Sequence, residues 1–404
     1  MKDDLFRAAT CPACGYHVAV PFFDGGEQPL ATLSWPATAA AAQNLPRLPL
    51  DFVRCVDCGH VFNAAFDYAR VPYSEKPNLM FNRAANWSKF LTNARQSILS
   101  HLPDHPVVVE IGHGDGSFLA ALAEERPAGR YVGFDPHGAA KGAGAVEFRQ
   151  DLFDATQHLA ELNPDLIVSR HVLEHFVNPL GFLQGLSFAA TSLGLSPLAF
   201  FEVPCIDRTL TSGRTVDFYY EHSSQFTTES FTRMLSRAAT QVVEIGHGYG
   251  GEVVFGFVRL GTPGSALDLA RLARQFRAGA EAAGNTIGAQ LAELHASGKR
   301  VAVWGGTGKS AAFMCHYAVD RDRFPLVVDS DSAKVGTFVP GMGQEIRFRD
   351  ELLAHPAAVI IIPPQWRAAD IIVEMKQVGI TFDSVLIEHM GRLIDFHRDE
   401  HPYR

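Results

Sequence analysis

Apolar residues in this chain gather into short runs punctuated by glycine turns. Val107-Val108-Val109-Glu110, Tyr131-Val132-Gly133-Phe134-Asp135, Val146-Glu147-Phe148-Arg149, Asp165-Leu166-Ile167-Val168 and Phe200-Phe201-Glu202-Val203-Pro204 read as strands. Runs of this length, rich in β-branched and aromatic residues, are the habit of buried strands. Ser117 to Leu122 reads as a helix directly after the first strand and its glycine turn. Ala266 to Leu294 is alanine-rich with helical apolar recurrence. Beyond it the strand, turn and helix pattern returns in Arg300–Trp304 and Ser310–Met314. The pattern predicts an α/β protein in three parts, with boundaries at 1–80, 81–262 and 263–404.

At 404 residues the chain exceeds one ordinary core, and 47% hydrophobic with 20% charged residues is a folding composition. The first residues, Met1-Lys2-Asp3-Asp4, carry no apolar signal region. Strictly apolar runs such as Ala357–Ile362 fall far short of the roughly 20 residues of a membrane span. A cytoplasmic protein without a membrane partner is expected. A net charge of −9 without a basic block argues against a nucleic-acid partner. Nothing in the sequence speaks to oligomeric state.

Four of six cysteines form two close pairs, Cys11-Pro12-Ala13-Cys14-Gly15 and Cys55-Val56-Asp57-Cys58-Gly59. Two residues between thiolates let both sulfurs turn toward one ion, and the following glycine suits the tight turn. A thioredoxin-like redox pair would need only one such motif and a following helix. The doubled motif therefore predicts structural zinc held by Cys11, Cys14, Cys55 and Cys58, with no open ligand position.

The turn after the first strand reads Glu110-Ile111-Gly112-His113-Gly114-Asp115-Gly116. Glycines here let backbone approach a ligand, and the helix that follows presents free amides. A dinucleotide fingerprint would need glycine at Ser117, so the spacing is E-x-G-x-G-x-G instead. Asp135 ends the second strand, placed to accept hydrogen bonds from ribose hydroxyls. Asp151-Leu152 follows the third, suited to an adenine amino group and ring face. The fourth runs into Ser169-Arg170-His171-Val172-Leu173-Glu174-His175. This set resembles the class I methyltransferases. The resemblance implies a Rossmann-like sheet with S-adenosylmethionine (SAM) across its strand ends, contacted by Glu110, Gly112, Gly114, Gly116, Asp135, Asp151, Leu152 and His171.

Two segments imitate functional motifs. Val242 to Gly250 nearly repeats the glycine turn, but a strand pattern follows at 251–258, so it reads as the turn of the last hairpin. Ile362-Pro363-Pro364-Gln365 is similar to the proline motif of nucleic-acid amino-methyltransferases. That motif belongs directly after the fourth strand, so base methylation is disfavoured.

After the fifth strand comes Asp217-Phe218-Tyr219-Tyr220-Glu221-His222-Ser223-Ser224-Gln225-Phe226. An unperturbed imidazole titrates near pH ~6.5 and can accept a proton, though most of the 17 histidines will serve no chemistry. Cysteine knuckles, a methyltransferase core and a Y-x-E-H segment resemble the sugar C-methyltransferases of deoxysugar pathways in antibiotic and polysaccharide biosynthesis. The resemblance implies that His222 removes a proton beside a ketone of a nucleotide-linked sugar. It makes Glu221 a neighbouring acid–base or orienting group and Tyr219 a polar contact, with Tyr73-Ser74 closing over the site. Gln225 departs from the family, which has tyrosine there.

In the last part, Trp304-Gly305-Gly306-Thr307-Gly308-Lys309 partly resembles the family's loop, implying that Thr307 and Lys309 contact substrate phosphates. Lys309-Ser310 is not a P-loop, because its first glycine would fall at Val303. Gly306-x-Gly308-x-x-Ala311 with Asp329 fits a loose dinucleotide pattern; a Rossmann-like half that keeps only the turn is the favoured reading. Two other functions compete: N- or O-methylation of a sugar or other small metabolite, and a zinc-dependent scaffold with a vestigial cofactor fold. An intact Glu110, glycine and Asp135 set speaks against the scaffold.

Overall fold

Side-chain alternation along the apolar runs accounts for the layers of the main sheet. In the computed structural model, which describes residues 5–71, 82, 84–140 and 146–404, the chain divides into compact units Met1–Ala266 and Leu267–Arg404. The first unit contains β1 (Ala19–Gln28), β2 (Leu48–Cys55), β3 (Val61–Asn63), β4 (Val107–Ile111), β5 (Arg130–Phe134) and β6 (Val146–Arg149). It continues with β7 (Leu166–Arg170), β8 (Leu198–Pro204), β9 (Ser224–Gln225), β10 (Ala239–Gly248) and β11 (Val253–Leu260).

Seven of these form one sheet in the order β10-β11-β8-β7-β4-β5-β6. Strands β4 to β8 pair in parallel, and β11 runs antiparallel to both β8 and β10. Successive residues point to opposite faces. Val108, Tyr131, Leu166, Val168 and Phe200 thus bury against the helices Ala85–Ser100 and Ser117–Glu125. Val109, Val132, Ile167, Ala199 and Phe201 bury against Ala155–Leu162, Pro179–Ser192 and Thr228–Ala238. The second glycine run turns β10 into β11 through Tyr249–Gly251, with Gly250 and Gly251 at φ 70° and 90°. Strand order reverses between β4 and β7, and in such sheets the ligand crevice opens at the carboxyl ends of those strands.

The cysteine-bearing segment is not a separate body. Its strands form a four-stranded sheet, β1-β2-β3-β9, whose last member comes from the stretch beyond His222. Val61 pairs with Gln225 and Phe62 with Ser224. Cys11, Cys14, Cys55 and Cys58 share one apolar cluster with Val109, Phe201 and Phe231. A second tie is polar. The buried Glu221 carboxylate accepts hydrogen bonds from the amides of Ala31 (3.1 Å), Thr32 (2.7 Å) and Leu33 (3.1 Å), and from the Thr32 hydroxyl (3.2 Å).

The second unit is built on β12 (Val301–Trp304), β13 (Leu326–Asp329), β14 (Ile346–Phe348), β15 (Val359–Ile361), β16 (Ser384–His389) and β17 (Arg392–Asp395), in the order β14-β13-β12-β15-β16-β17. All pairs are parallel except β16 with β17. The 33-residue helix Gly264–Ala296 leads into it and buries Ala283, Ile287 and Leu291. Pro363-Pro364 follows β15, in the sheet of the second unit.

Glu221→Ala strips three backbone amides of their acceptor. It should lower stability by about 3 kcal/mol, since each orphaned group costs about 1–3 kcal/mol. Calorimetry should show the melting midpoint of the full chain falling by about 6–12 °C. An unchanged midpoint would mean that water or neighbouring groups replace this tie at no cost.

Candidate active site and cysteine cluster

The loop after β4 turns on three glycines in the left-handed region, Gly112 (φ 77°), Gly114 (φ 56°) and Gly116 (φ 74°). A Cβ on Gly112 would lie 2.3 Å from Val172 Cγ2, and one on Gly116 2.5 Å from the Phe148 ring. The loop therefore excludes side chains on steric and conformational grounds together. It borders a cavity of about 520 Å³ whose wall includes Glu110, Asp135, Asp151, Leu152, His171 and His175. Asp135 accepts from the Gly114 amide (2.9 Å) and the His137 amide (2.9 Å). A carboxylate has about four acceptor positions, so capacity for two ribose hydroxyls remains. Leu152 is 71% exposed, leaving an apolar face toward the cavity. The buried Glu110 carboxyl has one oxygen without a hydrogen-bond partner among the described residues. These features fit a nucleoside-bearing ligand with a cationic end.

Along this wall runs a row of largely buried charges. Arg170 bonds Glu202 (2.7 Å) and stacks 4.1 Å from the Phe118 ring centre. His171, at φ 54°, reaches Glu202 (3.1 Å) and Glu174 (3.5 Å). Burial alone would lower the His171 pKa, but Glu174 and Glu202 raise it to about 9, so it is a cation at neutral pH. Glu202, despite burial, is held at about 2 by Arg170 and His171. Glu110 goes the other way: burial raises it to about 8, with Arg170 opposing.

Next to this row, Tyr219 and His222 meet through a 2.7 Å hydrogen bond between the phenol and Nε2. The His222 ring packs at 4.8 Å on His175, whose Nδ1 lies 2.8 Å from the Glu221 carbonyl. One ligating atom each of Glu174, His175 and His222 lie within 4.8 Å of one another. Burial, together with His175, lowers His222 to about 3, so it is neutral at physiological pH. Burial and neighbouring acids push the Tyr219 phenol up. Gln225, standing where the resemblance has tyrosine, donates to the carbonyls of Asp217 (3.0 Å) and His222 (3.3 Å) and so pins the segment's backbone. His175, not His222, lines the cavity directly. The sequence reading gave Glu174 and His175 no role, although the Leu173-Glu174-His175 turn directly after β7 was visible in it.

The four cysteines sit buried with Sγ–Sγ separations of 3.6 Å for Cys11–Cys58 and Cys14–Cys55, all within 4.8 Å. A disulfide needs about 2.05 Å. A tetrahedral set of Zn–S bonds of about 2.3 Å puts sulfurs about 3.8 Å apart. The cluster is compatible with zinc. Both knuckles close alike: Gly15 and Gly59, at φ 75° and 73°, donate to the carbonyls of Cys11 and Cys55. From the helix Thr228–Ala238, Arg233 grips Asp57 and Arg237 donates to the Cys14 carbonyl.

Tyr73 lies outside the described residues. Thr307 and Lys309 are exposed in the second unit, where Lys309 Nζ sits 3.7 Å from the Trp366 ring centre. Asp329 is engaged by the Gly306 amide (3.3 Å), the Asp331 amide (2.9 Å) and Lys334 (3.3 Å).

Residues 82–245 match the methyltransferase domain family, and residues 265–387 match the C-methyltransferase C-terminal domain. No curated protein matches the chain at a significant level. Similar solved structures include the plantazolicin methyltransferase BpumL with a monoazolic desmethyl analogue and SAH, at 16% identity over 45% of this chain and 87% of that one (TM-score 0.33). Another is magnesium protoporphyrin IX methyltransferase from Synechocystis PCC 6803 with SAH, at 14% identity over 45% and 90% (TM-score 0.31).

The Glu110 carboxyl yields a pH prediction. Its folded value near 8 exceeds the ordinary 4.5, so between those values the folded state binds the extra proton. Its contribution is therefore full below pH 4.5 and is lost as pH rises through 8. Glu110→Gln should show a shallower fall in melting temperature between pH 5 and pH 9 than the unsubstituted protein, by parallel thermal scans. Identical slopes would place Glu110 ionised in both states.

Proposed function

We propose that this SAM-dependent methyltransferase methylates carbon, at the position beside a ketone of a nucleotide-linked sugar. The observation that carries this reading is the half-buried Tyr219–His222–His175 cluster, which reaches the cavity through His175 and offers a neutral His222 imidazole as proton acceptor. The C-methyltransferase C-terminal domain match agrees with it.

SAM bound in the cavity supplies an electrophilic methyl on a sulfonium. Glu110 and Asp135 would hold its polar ends, with Asp151 and Leu152 at the adenine. A carbon beside a carbonyl becomes nucleophilic only after losing a proton, so the chain must furnish a base. His222 takes that proton onto a ring nitrogen as the C–H electron pair passes into the enolate. With SAM in place, that pair would form the new C–C bond to the donor methyl, the S–CH₃ pair staying on sulfur. Tyr219 fixes the His222 ring. The Glu221 oxygens are already committed to residues 31–33, which supports the orienting role for Glu221 over the acid–base one. The cysteine cluster is read as a structural zinc site, remote from any reacting atom. Thr307 and Lys309, on an exposed glycine loop, remain the proposed phosphate contacts.

Asp135→Ala should weaken SAM binding by about 1.5–3 kcal/mol, the range for hydrogen bonds to a charged group. Titration calorimetry reads this directly, and unchanged affinity would exclude the ribose contact.

Metal analysis should find one zinc per chain, lost on replacing Cys11, Cys14, Cys55 and Cys58 by serine. Less than half an equivalent in protein purified without chelator would exclude the site.

A panel of nucleotide-linked keto sugars with labelled SAM, followed by NMR of products, tests the reaction itself. His222→Asn should keep SAM affinity and lose turnover by about 10²–10⁴-fold, with loss of α-proton exchange in deuterated water. A product methylated on oxygen or nitrogen would overturn carbon methylation, and wild-type turnover in the variant would remove His222 from the chemistry.

A further inference from the structure

We infer that Glu174 is a positioning residue of the proton-transfer step, its buried carboxylate holding the imidazolium formed when His222 takes the substrate proton. The inference rests on the proposed carbon methylation and adds to it a residue outside the Y-x-E-H segment. Glu174 is 1% exposed, and neither carboxylate oxygen has a hydrogen-bond partner among the described residues. Buried carboxylates are ordinarily hydrogen-bonded as well as paired, so one held only by a 3.5 Å contact to His171 is unusual. Its backbone carbonyl accepts from the Ser223 hydroxyl (3.4 Å), tying the 173–175 turn to the residue after His222.

The groups around it leave the acceptor positions of Glu174 largely unfilled. From β7 and its end, Arg170 is spent on Glu202, and His171 is shared between Glu202 (3.1 Å) and Glu174 (3.5 Å). From β8 comes Glu202. From the 173–175 turn comes His175, and from the following segment Tyr219, Glu221 and His222. Glu221 already accepts four hydrogen bonds from residues 31–33. With His222 neutral, Glu174 and Glu202 face two cations, Arg170 and His171. When the substrate C–H bond breaks, its electron pair enters the enolate and its proton arrives on His222 as a third cation. Glu174, with both oxygens open and a carboxylate oxygen within 4.8 Å of a His222 ring nitrogen, is the carboxylate placed to meet it. The proton then leaves by way of His175, which lines the cavity. Burial alone would raise the Glu174 pKa, yet His171, His175 and His222 hold it below the usual carboxylate value, so the charge is present when needed. An imidazole pushed as low as about 3 is otherwise a weak proton acceptor.

The test uses the full chain with SAH bound, comparing Glu174→Gln, Glu174→Asp, His222→Asn and the Glu174→Gln/His222→Asn pair. Glu174→Gln keeps the shape and removes the charge. It should keep SAH affinity by calorimetry, yet lose about 10²–10³-fold in kcat and in α-proton exchange with the keto sugar accepted in the panel. Glu174→Asp should retain more of both than Gln, and the double variant should be no slower than His222→Asn. Wild-type rates in Glu174→Gln, or Asp and Gln equally impaired, overturn the inference. If the Gln variant does not fold, Glu174→Asp alone carries the test, with exchange slowed about tenfold expected and unchanged exchange overturning it. A second metal equivalent that disappears with Glu174→Gln would mean these residues hold an ion, which also overturns it. Normal turnover in His222→Asn would sink the proposed base itself. An inactive His222→Asn beside an unimpaired Glu174→Gln would sink only the role given to Glu174.

Discussion

The Glu221 carboxylate joins the two halves of the first unit, and the geometry beside the cavity follows from that joint. Three consecutive amides, from Ala31 to Leu33, converge on one buried carboxylate. Such an arrangement is strong because the acceptor is charged and buried, so each N–H···O⁻ bond is charge-assisted. It fixes the residue next to His222 from the N-terminal side, while β9, two residues further on, is fixed by pairing with β3. The backbone between is further held by Gln225 and by the Glu221 carbonyl against His175. His222 thus stands on a segment tied down on both sides, as the proton-accepting role proposed for it requires.

Charge is handled along the sheet edge by alternation. Carboxylates and cations from β7, β8 and the turn after β7 follow one another, Glu202 between Arg170 and His171, then Glu174. Each buried ion is costly alone and tolerable in sequence. Glu110, lying outside the row, escapes the cost by holding its proton. A cationic donor arriving in the cavity would change that balance, because an added positive charge favours the ionised carboxylate.

What the sequence disclosed follows from how local each signal is. The strands β4, β5, β7 and β8 were legible because burial on both faces demands apolar runs, and the glycine loop because φ values near 56–77° and a 2.3 Å approach to Val172 permit little else. The paired cysteines were legible through spacing alone. The fate of the Glu221 carboxylate was not, since its partners lie about 190 residues away and are backbone amides, which leave no mark on residue identity. β9 is two residues long and carries no periodicity, so its membership of the N-terminal sheet was invisible. His175 and Glu174 were read as part of a strand-end run; only the fold shows the pair against the Tyr219–His222 segment.

The same connections bear on why a cysteine cluster accompanies this site at all. Cys55 ends β2, β2 pairs with β3, and β3 pairs with β9 two residues from His222. On the opposite side, Arg233 and Arg237 bind the knuckles from the helix that begins three residues after Gln225. The segment 217–226 therefore lies between two elements that both end on the cluster. Four buried thiols at 3.6 Å contacts resist joint ionisation: burial raises Cys14 to about 12, while a hydrogen bond from Cys11 lowers Cys58 to about 6. A divalent ion would remove that conflict by taking all four as thiolates, and the binding energy would become stability of the surrounding fold. In that case the ion's contribution to activity is mechanical. It would act through β2, β3 and β9 on the orientation of the His222 imidazole.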